Sequence, residues 1–388
     1  MSQPEIDVLI VGGGPGGLCA ADRLARQGVR VIVCEEHPTI GDPVHCTGVL
    51  ASESFRELDL PPDAILNDLS TARFVSPSGI TVPYSTPSPL ATVIDRGAFD
   101  RTLAARATAL GAEVRTGVRV SHLEPDPHGI TATLGDRSIR ARMVVLACGA
   151  NYAMQRRLGL GLPGSYLHTA QRELPARFPG DVELHFGRAV APDGFAWAVP
   201  VVRPEGSYVR IGAMASADAV GCYNQMAGRI KDSWGVELDG HTPRQKILPI
   251  GAIPRTYADR VLVVGDAAGL VKPTTGGGIH YSIVSARLAA EVAVRALGQD
   301  QLDAATLSAY ETAWRAELSE EFEAQHALRA IVTRLGDAEI DSLFDLACRD
   351  GIMPIVRRTA KFNQHRNLIF ALFKHPPARR ILFRSIVG

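Results

Sequence analysis

Four residues near the start of the chain, Gly12, Gly14, Gly17 and Glu35, have the types and spacing of a site that binds a dinucleotide. The glycines form a G-x-G-x-x-G pattern. The first permits a tight turn, the second lets a pyrophosphate approach the backbone, and the third lets a helix pack close to a strand. The helix start would offer free N–H groups and a positive dipole end to the phosphates. Glu35 follows Gly17 by 18 residues, where an acid at a strand tip would accept hydrogen bonds from the adenosine ribose.

These residues need a strand–helix–strand unit to position them, and the sequence supplies each part. Residues 8–11 form an apolar strand before the glycines, and a helix with alanines and Leu24 on its inner side follows them. Gly28 ends that helix, and residues 29–34 form a second strand that finishes on Glu35. A glycine-rich turn in an α/β core can also be empty, but here every part of the unit is present. The pattern therefore predicts a Rossmann-type dinucleotide site.

A second acid with a second run of glycines predicts the other part of the cofactor site. Residues 260–264 form an apolar strand, and Asp266 follows it. Gly276, Gly277, Gly278 and Ile279 then open a long helix. An acid at a strand tip can bind a ribityl hydroxyl, and a glycine-led helix start can face a carbonyl or the negative charge of a reduced ring. The alternative is an ordinary strand–turn–helix crossover, which the triple glycine and the acid disfavour.

Residues 41–48, with the sequence GDPVHCTG, form a turn-rich loop close to the end of the second strand. This loop is expected near the mouth of the dinucleotide site. Its Cys46 is either a neighbour of a flavin or a half-buried loop cysteine, and the residues alone favour neither. Gly48 is predicted to lead into a short helix.

The rest of the chain alternates between two kinds of pattern, which predicts two interleaved domains. A helix over residues 98–110, a strand over 113–120 and a buried strand over 143–150 continue the nucleotide-binding unit. Short β-like runs, with a hairpin over 72–84, indicate an antiparallel substrate sheet. We therefore expect an α/β fold: a Rossmann-type domain (1–70, 96–150 and 256–300), interleaved with an antiparallel β-sheet substrate domain (71–95 and 151–255), and a C-terminal helical region (301–388).

The last segment, residues 351–388, contains no acid but many basic residues, with Leu and Phe between them. A basic, apolar segment suits the surface of an anionic membrane. The alternative is a set of helices packed on the substrate domain with their basic residues outward, and this alternative is favoured slightly.

The overall composition excludes several classes of protein. Lys+Arg and Asp+Glu both count 41, so charge gives no reason to expect nucleic acid as a partner. No apolar run has the length of a membrane span, and the first strand begins without a signal peptide. The six cysteines are scattered with no C-x-x-C pair, which suits a reducing cytoplasm and predicts no iron–sulfur, zinc or other metal site.

With these landmarks, the chain resembles the geranylgeranyl reductase family, FAD-dependent enzymes within the larger group shaped like para-hydroxybenzoate hydroxylase. Residues 194–200, with the sequence GFAWAVP, resemble the aromatic-x-Trp-x-apolar-Pro motif beside the family's lipid cavity. The loop around Cys46 resembles a cysteine loop next to the flavin, and Arg96 resembles an arginine that holds FAD. Phe195 stands where Tyr is usual and Val199 where Phe is common, so a hydroxyl near the cavity is missing. Trp197 could also be only a packed sheet residue.

The resemblance implies a role for each matching residue. The predicted catalytic residues are His45, Cys46 and Trp197, and the predicted substrate-binding residues are Phe195, Trp197 and Pro200. The residues predicted to bind FAD are Gly12, Gly14, Gly16, Gly17, Glu35, Cys46, Thr47, Gly48, Arg96, Val120, Asp266, Gly278 and Ile279.

The function implied is reduction of isolated C=C bonds in a geranylgeranyl or polyprenyl chain, by hydride from reduced flavin plus a proton. Cys46, His45 and a flavin-bound water are the candidate proton donors. The electron donor would be NADPH, bound transiently, or a ferredoxin-like protein, because no second nucleotide unit is present. The protein would be cytoplasmic or peripheral to the inner face of a membrane.

Four other functions use related folds. An aromatic hydroxylase needs polar groups that ionise a phenol, and no such cluster is evident. A flavin-dependent halogenase needs a lysine after the first dinucleotide unit, and no lysine precedes Lys231. A quinone reductase of related shape carries a four-cysteine cluster, which is absent. A membrane-bound flavin electron carrier would use the basic C-terminal segment equally well.

Overall fold

The computed structural model describes residues 6–349 and 352–387, with side chains as far as residue 383. The predicted segments 1–70, 301–388 and 351–388 therefore include positions, namely 1–5, 350, 351 and 388, that lie outside the described residues. The strands are β1 Ile6–Val11, β2 Val31–Cys34, β3 Val49–Ala51, β4 Ile65–Leu69, β5 Thr71–Val75, β6 Thr81–Ser85, β7 Ala91–Ile94, β8 Glu113–Arg115, β9 His122–Asp126, β10 Gly129–Leu134, β11 Arg137–Leu146, β12 Ser165–Pro175, β13 Val182–His185, β14 Phe195–Arg203, β15 Gly206–Ala215, β16 Arg244–Ile250, β17 Tyr257–Ala258 and β18 Val261–Val263. The α-helices are α1 Pro15–Arg26, α2 Ser52–Glu57, α3 Arg96–Ala109, α4 Ala153–Arg157, α5 Ala219–Trp234, α6 Ile279–Gln299, α7 Ala304–Val332, α8 Asp337–Arg349, α9 Ile352–Thr359, α10 Arg366–Lys374 and α11 Pro376–Val387.

The nucleotide-binding half is built on an eight-stranded sheet. Its main order is β17-β18-β11-β1-β2-β8, and the hairpin of β9 and β10 joins it beside β11. Strands β2, β1, β11 and β18 run parallel to one another, and β2 is buried throughout because helices cover such sheets on both faces. The carboxyl ends of these strands meet at one edge, which brings the turn after β1, Glu35 after β2 and Asp266 after β18 to the same place.

The second half is a seven-stranded sheet with the order β16-β12-β15-β14-β13-β5-β6. Only the pairing of β13 with β5 is parallel. One face packs on α5, whose Met226 and Trp234 lie among the small apolar residues of the sheet. The other face, with Trp197 and Val199, packs against Val93 of a small sheet of order β3-β7-β4. This small sheet draws β3 and β4 from segment 1–70 and β7 from segment 71–95.

The C-terminal helices extend from the nucleotide-binding half. Helix α7 packs along α6, and α10 packs on α7. Asp303 begins α7 by accepting a hydrogen bond from the N–H of Thr306, which satisfies one of the free donors of the first turn. In the described ranges, no helix is both long enough and apolar enough to cross a membrane.

The predicted fold class is confirmed, but two local predictions were wrong and two elements were missed. Strand β8 ends at Arg115 instead of continuing to Val120, because Gly117 turns the chain with φ 67°. Gly48 leads into strand β3, which pairs with β7, before the short helix α2 begins. The long strand β12 and helix α5 were not predicted.

Candidate functional site

The glycine turn after β1 has the geometry that a pyrophosphate site needs. Gly12 has φ 109°, and a Cβ added there would lie 2.3 Å from the carbonyl oxygen of Ala147. A Cβ on Gly17 would lie 2.0 Å from the carbonyl oxygen of Gly12, so α1 sits directly on the turn. By contrast, a Cβ on Gly14 would meet no atom within 4 Å. The two outer glycines are therefore required by the fold itself, whereas the space beside Gly14 is open to a ligand.

Gly16 serves helix packing. A Cβ there would lie 3.4 Å from the Cβ and the carbonyl oxygen of Ser282 on α6. Small residues at this crossing let α1 and α6 approach closely, which brings the starts of both helices to the same edge of the sheet. Neither start carries a side-chain cap, since Gly14 precedes α1 and Gly278 precedes α6. Their first-turn N–H groups are thus available to a ligand.

Glu35 closes the glycine turn from the tip of β2. Its Oε2 accepts a hydrogen bond from the N–H of Gly13 at 2.7 Å, and its Oε1 accepts one from the N–H of His37 at 2.9 Å. Oε1 also lies 2.5 Å from His37 Nδ1, so Oε2 is the oxygen that keeps a lone pair for a ribose hydroxyl. Glu35 therefore fits a ribose site and also fixes the turn.

Asp266 lies at the tip of β18 beside the start of α6. A Cβ on Gly278 would come within 2.6 Å of its Oδ1, so a larger residue there would displace the carboxylate. Burial raises the pKa of Asp266, with Lys246 and Arg96 opposing that shift. Asp266 is half-buried, and among the described residues its carboxylate has no hydrogen-bond partner, so its oxygens are available to a ligand hydroxyl. Ile279 begins α6 directly after Gly278.

Together these features fit FAD: open space at Gly14, two uncapped helix starts and an unpartnered acid. Val120 is buried in the core of the same half, but no described contact relates it to this edge, so its role stays a prediction.

The glycine turn before α6 encloses a lysine that sequence reasoning missed. A Cβ on Gly277 would lie 2.8 Å from Cε of Lys272, whose side chain is 2 % exposed. The Nζ of Lys272 donates to the carbonyl oxygen of Phe362 at 2.6 Å and lies 4.3 Å from the centre of the Phe362 ring. Burial lowers the pKa of Lys272 to about 7. The turn is thereby held against the C-terminal region.

The segment after Phe362 adds further buried bonds to this junction. Asn363 donates to Ser54 Oγ at 2.8 Å and contacts His280 Nδ1 at 3.1 Å, while its carbonyl oxygen accepts from the Tyr281 hydroxyl at 2.6 Å. His365 contacts Thr274 Oγ1 at 2.8 Å. The C-terminal region is thus joined to α2 and to both sides of the α6 start.

The Cys46 sulfur has a hydrogen-bond donor and a nearby positive charge. The N–H of Gly48 contacts Sγ at 3.3 Å, and the charge of the Arg96 guanidinium acts on the sulfur. Arg96 also donates two hydrogen bonds to the buried Asp100, at 3.1 and 2.7 Å. Burial by itself disfavours the charge of Arg96, but Asp100 and Cys46 raise the pKa of Arg96 above its usual value. A permanent positive charge therefore faces the sulfur.

His45 is held differently from its neighbour Cys46. Its Nε2 contacts Thr169 Oγ1 at 2.8 Å, and that hydroxyl donates to the carbonyl oxygen of Lys246 at 3.1 Å. The hydroxyl proton is thus used, which assigns the ring proton to Nε2. Burial, with Lys246 and Arg244 adding to it, lowers the pKa of His45 to about 4. The ring is therefore neutral at pH 7, with its single N–H already used.

Gln171 on β12 connects the cysteine loop to Trp197. Its Nε2 donates to the carbonyl oxygen of Cys46 at 2.9 Å. Its Oε1 accepts from the Thr47 hydroxyl at 2.8 Å and from the Trp197 indole N–H at 3.3 Å. Two predicted site residues from distant parts of the chain are thus brought together by a residue that was not predicted.

A buried arginine fixes the end of the same loop. Arg210 donates to the carbonyl oxygens of Thr47 and Ile94, at 2.6 and 3.0 Å, and to Glu173 at 2.7 Å. A Cβ on Gly48 would lie 2.5 Å from Arg210 Nη1, so glycine is required at this contact. Arg203 extends the network by pairing with Glu173 and with Asp95, the residue that caps α3. Arg96, in the first turn of α3, is held in register with the loop in this way.

Trp197 lies on the face of the substrate sheet that packs toward the small sheet. Phe195 and Val199 share this face, since residues two apart on a strand point the same way. The Phe195 and Trp197 ring centres are 5.8 Å apart. The alternation puts Pro200 on the opposite face, so the structure does not bring it together with the other two predicted substrate residues.

The missed residues Gln171, Glu173, Arg203 and Arg210 are polar residues in strands. The one available signal was their position among apolar neighbours in β12, β14 and β15, where an inward polar group needs a partner. Their partners lie 26 or more residues away, with Cys46 125 positions from Gln171, so the sequence did not identify them.

In this fold, the carboxyl-end edge of a Rossmann-type sheet faces an antiparallel sheet. This arrangement is typical of flavoproteins with the para-hydroxybenzoate hydroxylase fold. Comparison with known proteins agrees: a family model described as FAD binding domain matches residues 5–219, and one described as lycopene cyclase protein matches residues 214–347. Among solved structures, a geranylgeranyl bacteriochlorophyll reductase-like protein from Thermoplasma acidophilum superposes with TM-score 0.83 at 23% identity, over 99% of this chain and 100% of that one. The halogenase PltM superposes with TM-score 0.69 at 15% identity, over 97% of this chain and 85% of the halogenase chain. At these identities the likeness establishes the fold.

Two curated relatives indicate the family to which the chain belongs. The digeranylgeranylglycerophospholipid reductase 2 of Methanothermobacter thermautotrophicus is 30% identical over 87% of this chain and 91% of its own length. The digeranylgeranylglycerophospholipid reductase of Methanocaldococcus jannaschii is 31% identical over 87% of this chain and 89% of its own length. The chain belongs to the geranylgeranyl reductase family of FAD-dependent oxidoreductases, as the resemblance in its motifs predicted.

Proposed function

We propose that this protein saturates isolated C=C bonds in the geranylgeranyl chains of a lipid. The observation that carries the proposal is the meeting of the Cys46 loop with Trp197 through Gln171, at the junction of the cofactor half and an apolar sheet face. The reductases named above act, by their names, on a digeranylgeranyl glycerophospholipid. A prenyl chain is the type of substrate that an apolar face bearing Trp197 suits.

The substrate sheet has two tasks in this reaction. An isolated alkene has no carbonyl that would polarise it, so the chain must be held at contact distance from the hydride source. The sheet face around Trp197, Phe195 and Val199 would orient the prenyl chain, and its apolar cover by the small sheet would exclude water from the developing charge. Reduced FAD, when bound, supplies the hydride.

For the proton, we favour Cys46 over His45. His45 is neutral at pH 7 and its N–H is engaged by Thr169. The Cys46 thiol would give its proton to one alkene carbon as the hydride reaches the other. The resulting thiolate would be stabilised by Arg96 and the Gly48 N–H, and water would return the proton.

Two finer features belong to the same proposal. The electron donor is NADPH bound transiently or a ferredoxin-like protein. The C-terminal helices are the region that meets a membrane, because the sequence of residues 351–388 has many basic residues and no acid, and α10 in this segment exposes Phe370, which is 46% accessible.

Anaerobic reoxidation of the dithionite-reduced protein tests the proposal against its alternatives. A geranylgeranylated lipid should reoxidise the flavin, and the fully saturated lipid should not. Reoxidation by a quinone alone, with no reaction of the prenyl chain, would support the electron carrier. Reoxidation that requires oxygen together with an aromatic substrate would support the hydroxylase.

A further inference from the structure

Gln171 occupies a position that the predicted site residues do not explain. It is on β12, in the middle of the substrate sheet, and only 8% of it is exposed. Its neighbours across the sheet are Gly212 on β15 and Arg244 on β16. In the next strand, β14, Trp197 is paired with the same Gly212. Gln171, Gly212 and Trp197 therefore form one row across three strands.

The missing side chain at Gly212 lets the two ends of this row meet. A Cβ on Gly212 would lie 2.3 Å from Cζ2 of Trp197. The indole thus lies over the glycine, and its N–H reaches Oε1 of Gln171. With any larger residue between them, Trp197 could not contact Gln171.

The orientation of the Gln171 amide follows from its partners. An indole N–H can only donate, so it must face the amide oxygen. A backbone carbonyl can only accept, so the carbonyl of Cys46 must face the amide nitrogen. Both requirements give the same orientation, and the Thr47 hydroxyl fills the second lone pair of the oxygen. The amide nitrogen of Gln171 therefore binds the Cys46 loop, and its amide oxygen binds both this loop and Trp197.

We propose that Gln171 is a positioning residue, which fixes the Cys46 loop and the Trp197 indole in one relative geometry. The proposal rests on the proposed function for its kinetic consequence, but not for its structural one. Without the amide, the Cys46 carbonyl and the indole N–H would each lose a partner in a nearly buried place. Both groups would then shift. The Cys46 thiol and the apolar sheet face around Trp197 would no longer contact the same C=C bond of the substrate.

The first test needs no substrate. The holoprotein is treated with iodoacetamide, and alkylation of Cys46 is followed by peptide mass spectrometry in wild type, Gln171→Leu and Gln245→Leu. Gln245 is the matched control, because it is an exposed glutamine on β16 with no side-chain hydrogen bond among the described residues. Gln171→Leu should change the alkylation rate about tenfold, the effect of one lost partner, while Gln245→Leu leaves it unchanged.

The second test uses Gln171→Glu and a pH profile. A carboxylate still accepts from Thr47 and Trp197, but it donates to the Cys46 carbonyl only when it is protonated. Turnover of a geranylgeranylated lipid by Gln171→Glu, expressed as a fraction of wild-type turnover at the same pH, should therefore be low at pH 8 and rise as the pH falls. Gln171→Leu should show no such recovery.

The outcomes separate the two proposals. Wild-type alkylation in a folded, FAD-binding Gln171→Leu variant would overturn the positioning role. A reduced turnover in Gln171→Glu that is independent of pH would do so as well, by indicating a structural role alone. A changed alkylation rate with no lipid turnover in wild type would support the positioning role and contradict the proposed function.

Discussion

The indole of Trp197 rests on Gly212, where an added Cβ would lie 2.3 Å from Cζ2 of the ring. Gly212→Ala should therefore displace the indole without disturbing the cofactor edge. We expect unchanged FAD affinity and lipid turnover lower by about 10- to 100-fold, because small displacements of positioning groups are costly. Steady-state kinetics and FAD titration measure both effects.

Gly228→Ala is the control for that substitution. Gly228 lies in α5, and a Cβ there would meet no atom within 4 Å. Its turnover should equal that of wild type. Equal turnover in Gly212→Ala as well would mean that the pose of Trp197 does not matter.

Alanine substitutions at Gly14 and Gly17, in the glycine turn after β1, should have different effects: the first on FAD affinity and the second on stability. Gly14→Ala should fold normally, because its backbone has ordinary angles of φ -84° and ψ -178° and its Cβ meets nothing. It should bind FAD at least about tenfold more weakly, a change of ~1.4 kcal/mol, since the methyl group occupies the space left for the pyrophosphate. Gly17→Ala should instead destabilise the apoprotein by about 1–3 kcal/mol or more, because its Cβ would overlap the Gly12 carbonyl.

Urea unfolding of the apoprotein and FAD titration separate these two effects. Wild-type FAD affinity in Gly14→Ala would refute the location of the pyrophosphate.

Two half-buried histidines at the C-terminal junction, His280 and His365, should make the fold sensitive to acid. Burial, with Lys272 adding to it, lowers the pKa of His280 and His365 from 6.5 to about 4. The unfolded chain therefore binds more protons at these histidines between these values, so their contribution to the free energy of unfolding should be full above pH 6.5 and be lost as the pH drops toward 4. Denaturant unfolding across this range measures the loss.

His280→Asn should reduce that loss, because the amide can keep the bonds made by Nδ1 but does not titrate. His128→Asn is the control, since His128 is exposed and should leave the loss unchanged. The same pH dependence in His280→Asn and wild type would exclude His280 as a source.

The proposed membrane contact can be tested with two phenylalanines. Phe370 on α10 is 46% exposed and shares a groove with Arg366 and with Glu320 and Glu323 of α7, and Phe178, between β12 and β13, is 63% exposed. Phe370→Glu should weaken binding to anionic vesicles about tenfold, because an apolar contact is lost and a negative charge is added. Phe178→Glu should have no effect in the same sedimentation assay, and equal effects of the two would contradict a contact through α10.

The sequence predicted the cofactor edge better than the substrate site. Glu35 and Asp266 lie where the local pattern of strand, turn and helix put them, because each depends on residues close by in the chain. Helix α5 also had a usable signal, since Cys222, Met226 and Ile230 are buried at helical spacing. The substrate site depends on pairing over long distances, so Gln171 could not be assigned to Cys46 or Trp197 from sequence.

The location of Pro200 shows a different limit. A motif places Trp197 and Pro200 together in the sequence, but in an extended strand the three-residue separation turns them to opposite faces. The motif therefore identified the strand, and the structure was needed to identify its substrate face.

The most direct test of the proposed function is the mass of the lipid after reaction. Dithionite-reduced protein would be incubated anaerobically with geranylgeranyl diphosphate, a geranylgeranylated glycerophospholipid and menaquinone, and the lipids analysed by mass spectrometry. We predict that the prenyl chain of the accepted lipid gains mass in steps of two hydrogens. Unchanged masses for all of the lipids, with the flavin still bound and reducible, would contradict the assignment as a prenyl reductase.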